Sequence, residues 1–183
     1  MIREVIFMFS DPISCRLSRE RKVLKGKGRA IFWIASLVAL IGLGVIFSAL
    51  SSDSYYGCSW LPFPMHAPVF FCFTWLGVHF LQGVVIALPL TEVPLLERGL
   101  SRRVFRLAAA SYLFSLGWFL RFFKTPSTVT AFLLLLATAF FSGRIIWRVA
   151  RRSFLVTLLE TPVFVWLLCN LVATAKIVIT DHL

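Results

Sequence analysis

Five apolar stretches, each about as long as a lipid bilayer is thick, limit what this chain can fold into. An α-helix rises about 1.5 Å per residue, so crossing roughly 30 Å of hydrocarbon takes about 20 apolar residues. The stretches are residues 30–50, 68–90, 104–120, 129–147 and 154–180. They predict an all-α polytopic membrane protein. Residues 30–180 are expected to form a bundle of five transmembrane helices, preceded by a basic, flexible N-terminal segment of residues 1–29.

The composition excludes other classes of protein. Hydrophobic residues make up 59% of the 183 residues, and the mean hydropathy is +0.87, whereas water-soluble domains contain about 45–50% apolar residues. The same excess of apolar side chains excludes a disordered chain. The four cysteines show no paired spacing, which argues against a disulfide scaffold and against a zinc site.

The basic residues alternate between the two ends of the predicted bundle. Sixteen of the 19 Lys and Arg residues precede the first stretch or lie in the second and fourth connectors and the stretch ends beside them. Because positive charge marks the cytoplasmic side of membrane proteins, we expect a cytoplasmic N-terminus and an external C-terminus. A bacterial inner membrane is the expected location, with a mitochondrial membrane as the alternative. These charges lie at the predicted membrane surfaces and do not form one face of a folded domain. This points to membrane lipid as a partner and not to nucleic acid.

Three predicted helices carry a stripe that combines one Trp with neutral hydrogen-bonding side chains. At helical spacing the stripes are Phe71, Trp75, Val78, His79, Gln82 and Ile86; Ser111, Ser115, Trp118 and Phe122; and Pro162, Trp166, Asn170, Ala173 and Thr174. Polar groups are costly in hydrocarbon, so the stripes are expected to face the bundle interior. They either join helices by hydrogen bonds or line an aromatic pocket for a flat, mostly apolar ligand. Trp33, Trp60 and Trp147 instead lie near helix ends, as is typical of the membrane interface.

No catalytic arrangement is visible in the sequence, and we expect a protein that is not an enzyme. Paired carboxylates, a Ser/His/Asp set and a glycine-rich phosphate loop are all missing from it. His79 is the one ionisable group near the middle of a predicted span. We expect a neutral hydrogen-bonding role for it, with axial ligation of haem iron as the alternative. Glu160 is expected to be an interfacial charge at a helix end, with a proton relay as the alternative.

An ordered series of aromatic residues, Pro and Gly runs through the chain. It comprises Tyr55, Tyr56, Pro62, Phe71, Trp75, His79 and Gly83; Trp118, Phe122 and Phe123; and Leu158, Leu159, Pro162 and Trp166. The series resembles that of the TspO/MBR family, the tryptophan-rich sensory proteins related to the mitochondrial translocator protein, or peripheral benzodiazepine receptor. The resemblance covers residues 33–178. The chain departs from the family pattern where His79 and Val163 replace Tyr and where Ser115 and Thr174 replace Asn.

The resemblance implies a five-helix membrane fold with a pocket that binds tetrapyrroles such as protoporphyrin IX or haem. By position, the residues lining it would be Trp75, His79, Trp118, Phe122, Trp166 and Asn170. No cofactor is required and no metal-binding residues are expected, and family members are thought to form homodimers. Transport, sensing or regulation of porphyrins, and their light-dependent breakdown, are all open as functions.

The main alternative is a small structural subunit or scaffold of a membrane complex, in which the stripes only pack helices together. A secondary transporter is a weaker alternative. Transporters of that kind are typically marked by inverted repeats, broken helices or buried charges, and the sequence shows none of these signs.

Overall fold

The computed structural model describes residue 24 and residues 26–50, 68–91, 96–124 and 127–182. Within these residues the chain folds into five long helices and no strand, which confirms the predicted all-α class. The helices are α1 (Gly28–Leu50), α2 (Pro68–Leu90), α3 (Arg98–Phe119), α4 (Thr128–Val149) and α5 (Phe154–His182), and a π-helical segment, Leu120–Lys124, continues α3. Most of the basic N-terminal segment and the loop residues Tyr55, Tyr56, Trp60 and Pro62 lie outside the described residues.

Four of the five helices, α1, α2, α4 and α5, are long and apolar enough to cross a membrane. This indicates an integral, multi-pass membrane protein. The bounds of these four helices lie within two residues of the predicted stretches. The helix α3 differs because it begins six residues before the predicted third stretch. Its first half therefore includes four arginines, Arg98, Arg102, Arg103 and Arg106, which lower its hydropathy.

The helices α2, α3, α4 and α5 form a closed ring in which each helix contacts two neighbours. The helix α4 lies between α3 and α5, and α2 closes the ring by contacting the same two helices. The helix α1 packs along the outside of α2 and also touches α3. Every helix of the ring contributes to its core: Trp75, Trp118, Leu135 and Leu167 are all fully buried.

Small residues allow α1 to approach α2 closely. Ala35, Ala39 and Gly42 lie along the buried face of α1. A Cβ atom added to Gly83 of α2 would lie 2.8 Å from the Cα atom of Ala35, which is closer than two such atoms can approach. Close backbone approach at small residues is the usual way in which helices pack within a bilayer, where no hydrophobic force drives them together.

The outward faces of the helices are apolar, as contact with lipid requires. Trp147 is 80% exposed and Trp33 is 66% exposed, whereas Trp75 and Trp118 are completely buried. These two pairs of tryptophans therefore occupy different environments, whereas Trp166, on the third stripe, is partly exposed. For Trp33, Trp75, Trp118 and Trp147 the exposure agrees with the predicted distinction between interior and interfacial tryptophans.

Candidate ligand site

The side chains predicted to line a pocket come together where α2, α3 and α5 meet. The indoles of Trp75 and Trp118 are stacked, with ring centroids 5.2 Å apart, and Trp118 stacks in turn on Phe122 at 5.4 Å. The His79 ring lies 5.5 Å from Trp75, and Trp166 meets Trp75 edge to face at 6.3 Å. Five of the six predicted residues are thus joined by ring contacts, although they come from helices that are distant in sequence.

Asn170 completes the predicted set from α5. Its Nδ2 donates a hydrogen bond to the carbonyl oxygen of Trp166, one turn earlier, at 2.8 Å. Thr174 follows one turn later, and both side chains are completely buried. Among the described residues, neither Asn170 Oδ1 nor Thr174 Oγ1 has a hydrogen-bond partner. These two oxygens are therefore free to accept a hydrogen bond from a bound molecule.

The indole N–H groups of the site are also unpaired. Nε1 of Trp75, Trp118 and Trp166 is buried and, within the described part of the chain, has no acceptor. Most buried polar side-chain atoms in folded proteins are hydrogen-bonded, so three such donors in one place need an explanation. Asn170 Oδ1 and His79 Nε2 are unpaired as well. Every predicted site residue with a polar side chain therefore has one buried polar atom without a partner among the described residues. A ligand or ordered water could satisfy them.

Three further rings, Phe71, Phe119 and Phe123, pack against the predicted site residues. Phe119 lies 4.8 Å from both Trp75 and Trp118, and Phe71 meets Trp75 edge to face at 6.2 Å. We call Phe71, Trp75, Trp118, Phe119, Phe122 and Phe123 the aromatic cluster; all six are buried. Each of its rings contacts at least two of the others, so the cluster is closely packed.

The π-helical segment at the end of α3 supplies part of this cluster. A π-turn bonds residue i to residue i+5 and is frequently found at functional sites. Here Phe119 and Phe123 are stacked with an interplanar angle of 16°, and Trp118 and Phe122 with an angle of 27°. Phe122 is among the predicted site residues, but the π-turn is not predictable, because nothing in the local sequence distinguishes it from an ordinary helix end.

A chain of hydrogen bonds indicates the tautomer of a neutral His79. His79 Nδ1 lies 3.2 Å from Oε1 of Gln82, Gln82 Nε2 donates to Ser111 Oγ at 3.4 Å, and Ser111 Oγ donates to the carbonyl oxygen of Thr138 at 3.3 Å. The carbonyl oxygen of Thr138 can only accept, so Ser111 donates to it and accepts from the amide N–H of Gln82. The amide oxygen of Gln82 then accepts from His79 Nδ1. The proton of a neutral imidazole therefore lies on Nδ1, and Nε2 carries the lone pair.

The His79 ring lies close to the backbone of α1. A Cβ atom added to Gly42 of α1 would lie 2.4 Å from His79 Cδ2 and 3.0 Å from Nε2, so this edge of the ring lies against α1. Axial ligation of iron requires an open position beside the nitrogen. The geometry therefore favours the neutral hydrogen-bonding role that the sequence analysis expected for His79.

Glu160 does not lie at the surface, as an interfacial charge would. Its side chain is 1% exposed, and Oε1 accepts a hydrogen bond from Ser142 Oγ of α4 at 2.7 Å. The other carboxyl oxygen, Oε2, is buried with no hydrogen-bond partner among the described residues. The sequence does not show this contact, because α4 and α5 come together only in the folded bundle.

The other candidate ligand atoms are dispersed. Within the described ranges, no group of three His, Cys, Asp or Glu side chains could hold a metal ion. Cys72 and Cys169 are free thiols. Cys58 and His66 lie outside the described residues.

Comparison with known proteins finds no relative. No protein-family model matches the chain, and no curated protein or solved structure matches it either. The resemblance to the TspO/MBR family rests on the ordered residues quoted from the sequence.

Proposed function

We propose that this chain is a five-span membrane protein that binds a tetrapyrrole, a porphyrin or haem, in the manner of TspO proteins. The observation that carries the proposal is the set of buried, unpaired polar atoms contributed by Trp75, His79, Trp118, Trp166 and Asn170. Unpaired polar groups are more costly within a bilayer than in a soluble protein, because no water reaches them. A ligand beside Trp166 would supply partners to those of these atoms that face it.

The chemistry of the proposed ligand follows from the side chains that are present. Indole faces stack on a flat conjugated ring, and indole N–H groups donate to carboxylates or ring nitrogens. Because the rings of the aromatic cluster are in contact with one another, the ligand is proposed to lie beside them, against Trp166. Trp166 is the one member of the predicted set that is partly exposed.

The topology proposed for this protein has α3 as a fifth span, with the N-terminus in the cytoplasm and the C-terminus outside. The arginines at the start of α3 would then lie at the cytoplasmic surface, as the positive-inside rule requires. A bacterial inner membrane is the proposed location. Sensing, transport and regulation of porphyrins are all compatible with such a site, and a homodimer is the proposed assembly.

A second candidate function is that of a small structural subunit of a membrane complex. It is favoured by the dense ring contacts of the aromatic cluster, in which neighbouring centroids lie 4.8 to 6.4 Å apart. Under this alternative, the aromatic residues serve only to pack helices. Replacing them should then affect stability and not ligand binding.

The experiment is a titration of the detergent-purified protein with protoporphyrin IX, followed by quenching of tryptophan fluorescence. We expect saturable binding that Trp166→Phe weakens, because the phenyl ring retains the stacking surface but loses the N–H donor. Loss of one hydrogen bond, worth about 1 kcal/mol, corresponds to roughly fivefold in affinity. The matched control is Trp147→Phe, on the lipid-exposed face of α4, which should leave the affinity unchanged.

Thermal unfolding of each variant separates the two candidate functions. A weaker affinity at an unchanged melting temperature supports the ligand site. Quenching that does not saturate, or a Trp166→Phe variant that melts earlier but binds normally, would reject the tetrapyrrole proposal and favour the structural subunit.

A further inference from the structure

One end of the bundle carries many arginines and few carboxylates. Seven arginines at this end form no ion pair with any described residue: Arg98, Arg102, Arg103, Arg106, Arg144, Arg148 and Arg151. Two carboxylates lie nearby among the described side chains, and both are engaged. Glu97 pairs with Arg152 at 2.9 Å, and Glu160 is buried against Ser142. The described part of this surface is therefore an uncompensated positive patch.

Two contacts fix how α3 and α4 lie side by side. Ser111 of α3 bonds the carbonyl of Thr138 of α4, and the rings of Phe114 and Phe141 are stacked with centroids 5.5 Å apart. The two helices run antiparallel, because only residues 125–127 separate the end of the π-helical segment from the start of α4. We call the line along which Phe114 and Phe141 meet the α3–α4 seam.

Two of the unpaired arginines lie along this seam. Arg103 is eleven residues before Phe114 and Arg148 is seven residues after Phe141, and both spacings return to nearly the same face of a helix. Because the helices are antiparallel, both steps lead towards the same end of the bundle. At about 1.5 Å per residue, the arginines lie roughly 16 Å and 10 Å along the helices from the stacked rings.

The side chain of Arg148 indicates an absent partner. Its Nε atom is buried and, among the described residues, has no hydrogen-bond acceptor. A buried guanidinium nitrogen without an acceptor is costly, and a second guanidinium on the same seam adds repulsion. An anion with several acceptor oxygens would relieve both, and arginine forks bind phosphate oxygens in pairs.

We propose that an anionic phospholipid binds the α3–α4 seam. Its phosphate lies between Arg103 and Arg148, and an acyl chain runs over Phe114 and Phe141. The distance between rings and arginines is of the order of one leaflet of hydrocarbon, about 15 Å, so head and chain reach both features together. The proposal depends on the membrane location of the helices and not on the tetrapyrrole site.

The experiment measures lipid binding to the purified full-length chain in a neutral detergent, by native mass spectrometry. Phosphatidylglycerol is the anionic probe and phosphatidylcholine the neutral one. We expect phosphatidylglycerol to bind at least about tenfold more tightly than phosphatidylcholine, and Arg103→Gln/Arg148→Gln to abolish that preference. The matched control is Arg98→Gln/Arg151→Gln, which removes the same charge from exposed positions away from the seam faces and should keep the preference within about twofold.

Several outcomes would overturn the proposal. Equal binding of the two lipids to the unmodified chain would exclude selectivity, and equal losses in the two double variants would indicate only a general surface potential. Displacement of the lipid by millimolar inorganic phosphate would assign the seam to a free anion, and displacement by an oligoglutamate peptide would assign it to an acidic protein. If the glutamine variant does not fold, Arg103→Lys/Arg148→Lys keeps the charge but loses the paired geometry. Unweakened phosphatidylglycerol binding by that variant would contradict the proposal.

Discussion

Single polar side chains connect the helices of this bundle at defined points. Tyr112 of α3 donates through its hydroxyl to the carbonyl oxygen of Val38 of α1 at 2.7 Å. Gln82 of α2 reaches Ser111 of α3, and Ser142 of α4 reaches Glu160 of α5. Such bonds are worth about 0.6 to 2 kcal/mol each in membrane bundles. Their larger effect is on register, because each fixes one helix against its neighbour.

The clearest test at this scale concerns Ser142 and Glu160. Ser142→Ala removes the donor to a carboxyl group that is almost completely buried, and leaves that group with no described partner. We expect the free energy of unfolding to fall by about 1–2 kcal/mol. Thermal unfolding in detergent measures the effect. The control is Thr161→Ala on α5, where the lost hydroxyl is exposed and bonds only within its own helix.

A second variant separates the cost of an unpaired carboxyl group from simple loss of packing. Ser142→Ala/Glu160→Leu removes both polar partners, and replacing a buried polar pair by apolar groups is often nearly neutral. The double variant should therefore be more stable than Ser142→Ala. If it is less stable, the hydroxyl of Ser142 acts otherwise than by pairing with Glu160.

At the scale of elements, the contact between α1 and α2 depends on residues without bulky side chains. Gly83 lies against the backbone of Ala35, and Gly42 lies against the ring of His79. A flexible side chain can move away from an added methyl group by itself, whereas backbone atoms can move away only with their whole helix. The separation between α1 and α2 is therefore set mainly at Gly83.

Gly83→Ala should push α1 away from α2. The added Cβ would lie 2.8 Å from Ala35 Cα and 2.9 Å from its carbonyl oxygen. We expect a loss of about 1–3 kcal/mol in the free energy of unfolding, measured by thermal unfolding in detergent, as for other overpacked interiors. Gly77→Ala on the same helix is the matched control, because nothing lies within 4 Å of its added Cβ. That variant should be neutral or slightly stabilising, since Ala favours helices, and equal destabilisation of both variants would contradict this account.

The helix that differs most from the prediction made from the sequence is α3. Its arginine-rich first half lowers its mean hydropathy, yet it packs against α2 and α4 and touches α1. Several of its buried residues, Val104, Ala108, Ser111 and Ser115, are small or medium in size, and its large buried residues lie in its second half. The charged half can remain helical because its arginines are exposed at the end of the bundle and extend their charged ends towards water.

At the scale of the whole molecule, the two turns before α3 and before α5 lie at the same end of the bundle. Glu97, just before α3, and Arg152, in the turn before α5, form an ion pair of 2.9 Å. Both side chains are largely exposed, so the pair contributes little stability. It nevertheless shows that the chain returns to this end after α3 and α4.

Labelling of single cysteines tests whether α3 crosses the membrane. In a variant whose four cysteines are replaced by alanine, we would introduce Gly99→Cys, Ser127→Cys or Arg151→Cys. An impermeant maleimide added from one side should label positions 99 and 151 together and position 127 only from the other side. Five spans with a cytoplasmic N-terminus further require positions 99 and 151 to be labelled from the cytoplasmic side. Labelling of all three from one side would show that α3 and α4 do not each cross the membrane.

The sequence by itself determined that the protein is helical and where four of its helices begin and end to within two residues. It also determined that Trp75 and Trp118 are buried while Trp33 and Trp147 are exposed. These properties follow from local quantities: the length of chain needed to cross hydrocarbon and the cost of placing a polar group in it. The tertiary structure alone decided that Gln82 meets Ser111 and that Ser142 meets Glu160. Those contacts join helices whose order around the ring is set by how closely their backbones can approach, and no periodicity within one helix encodes that distance.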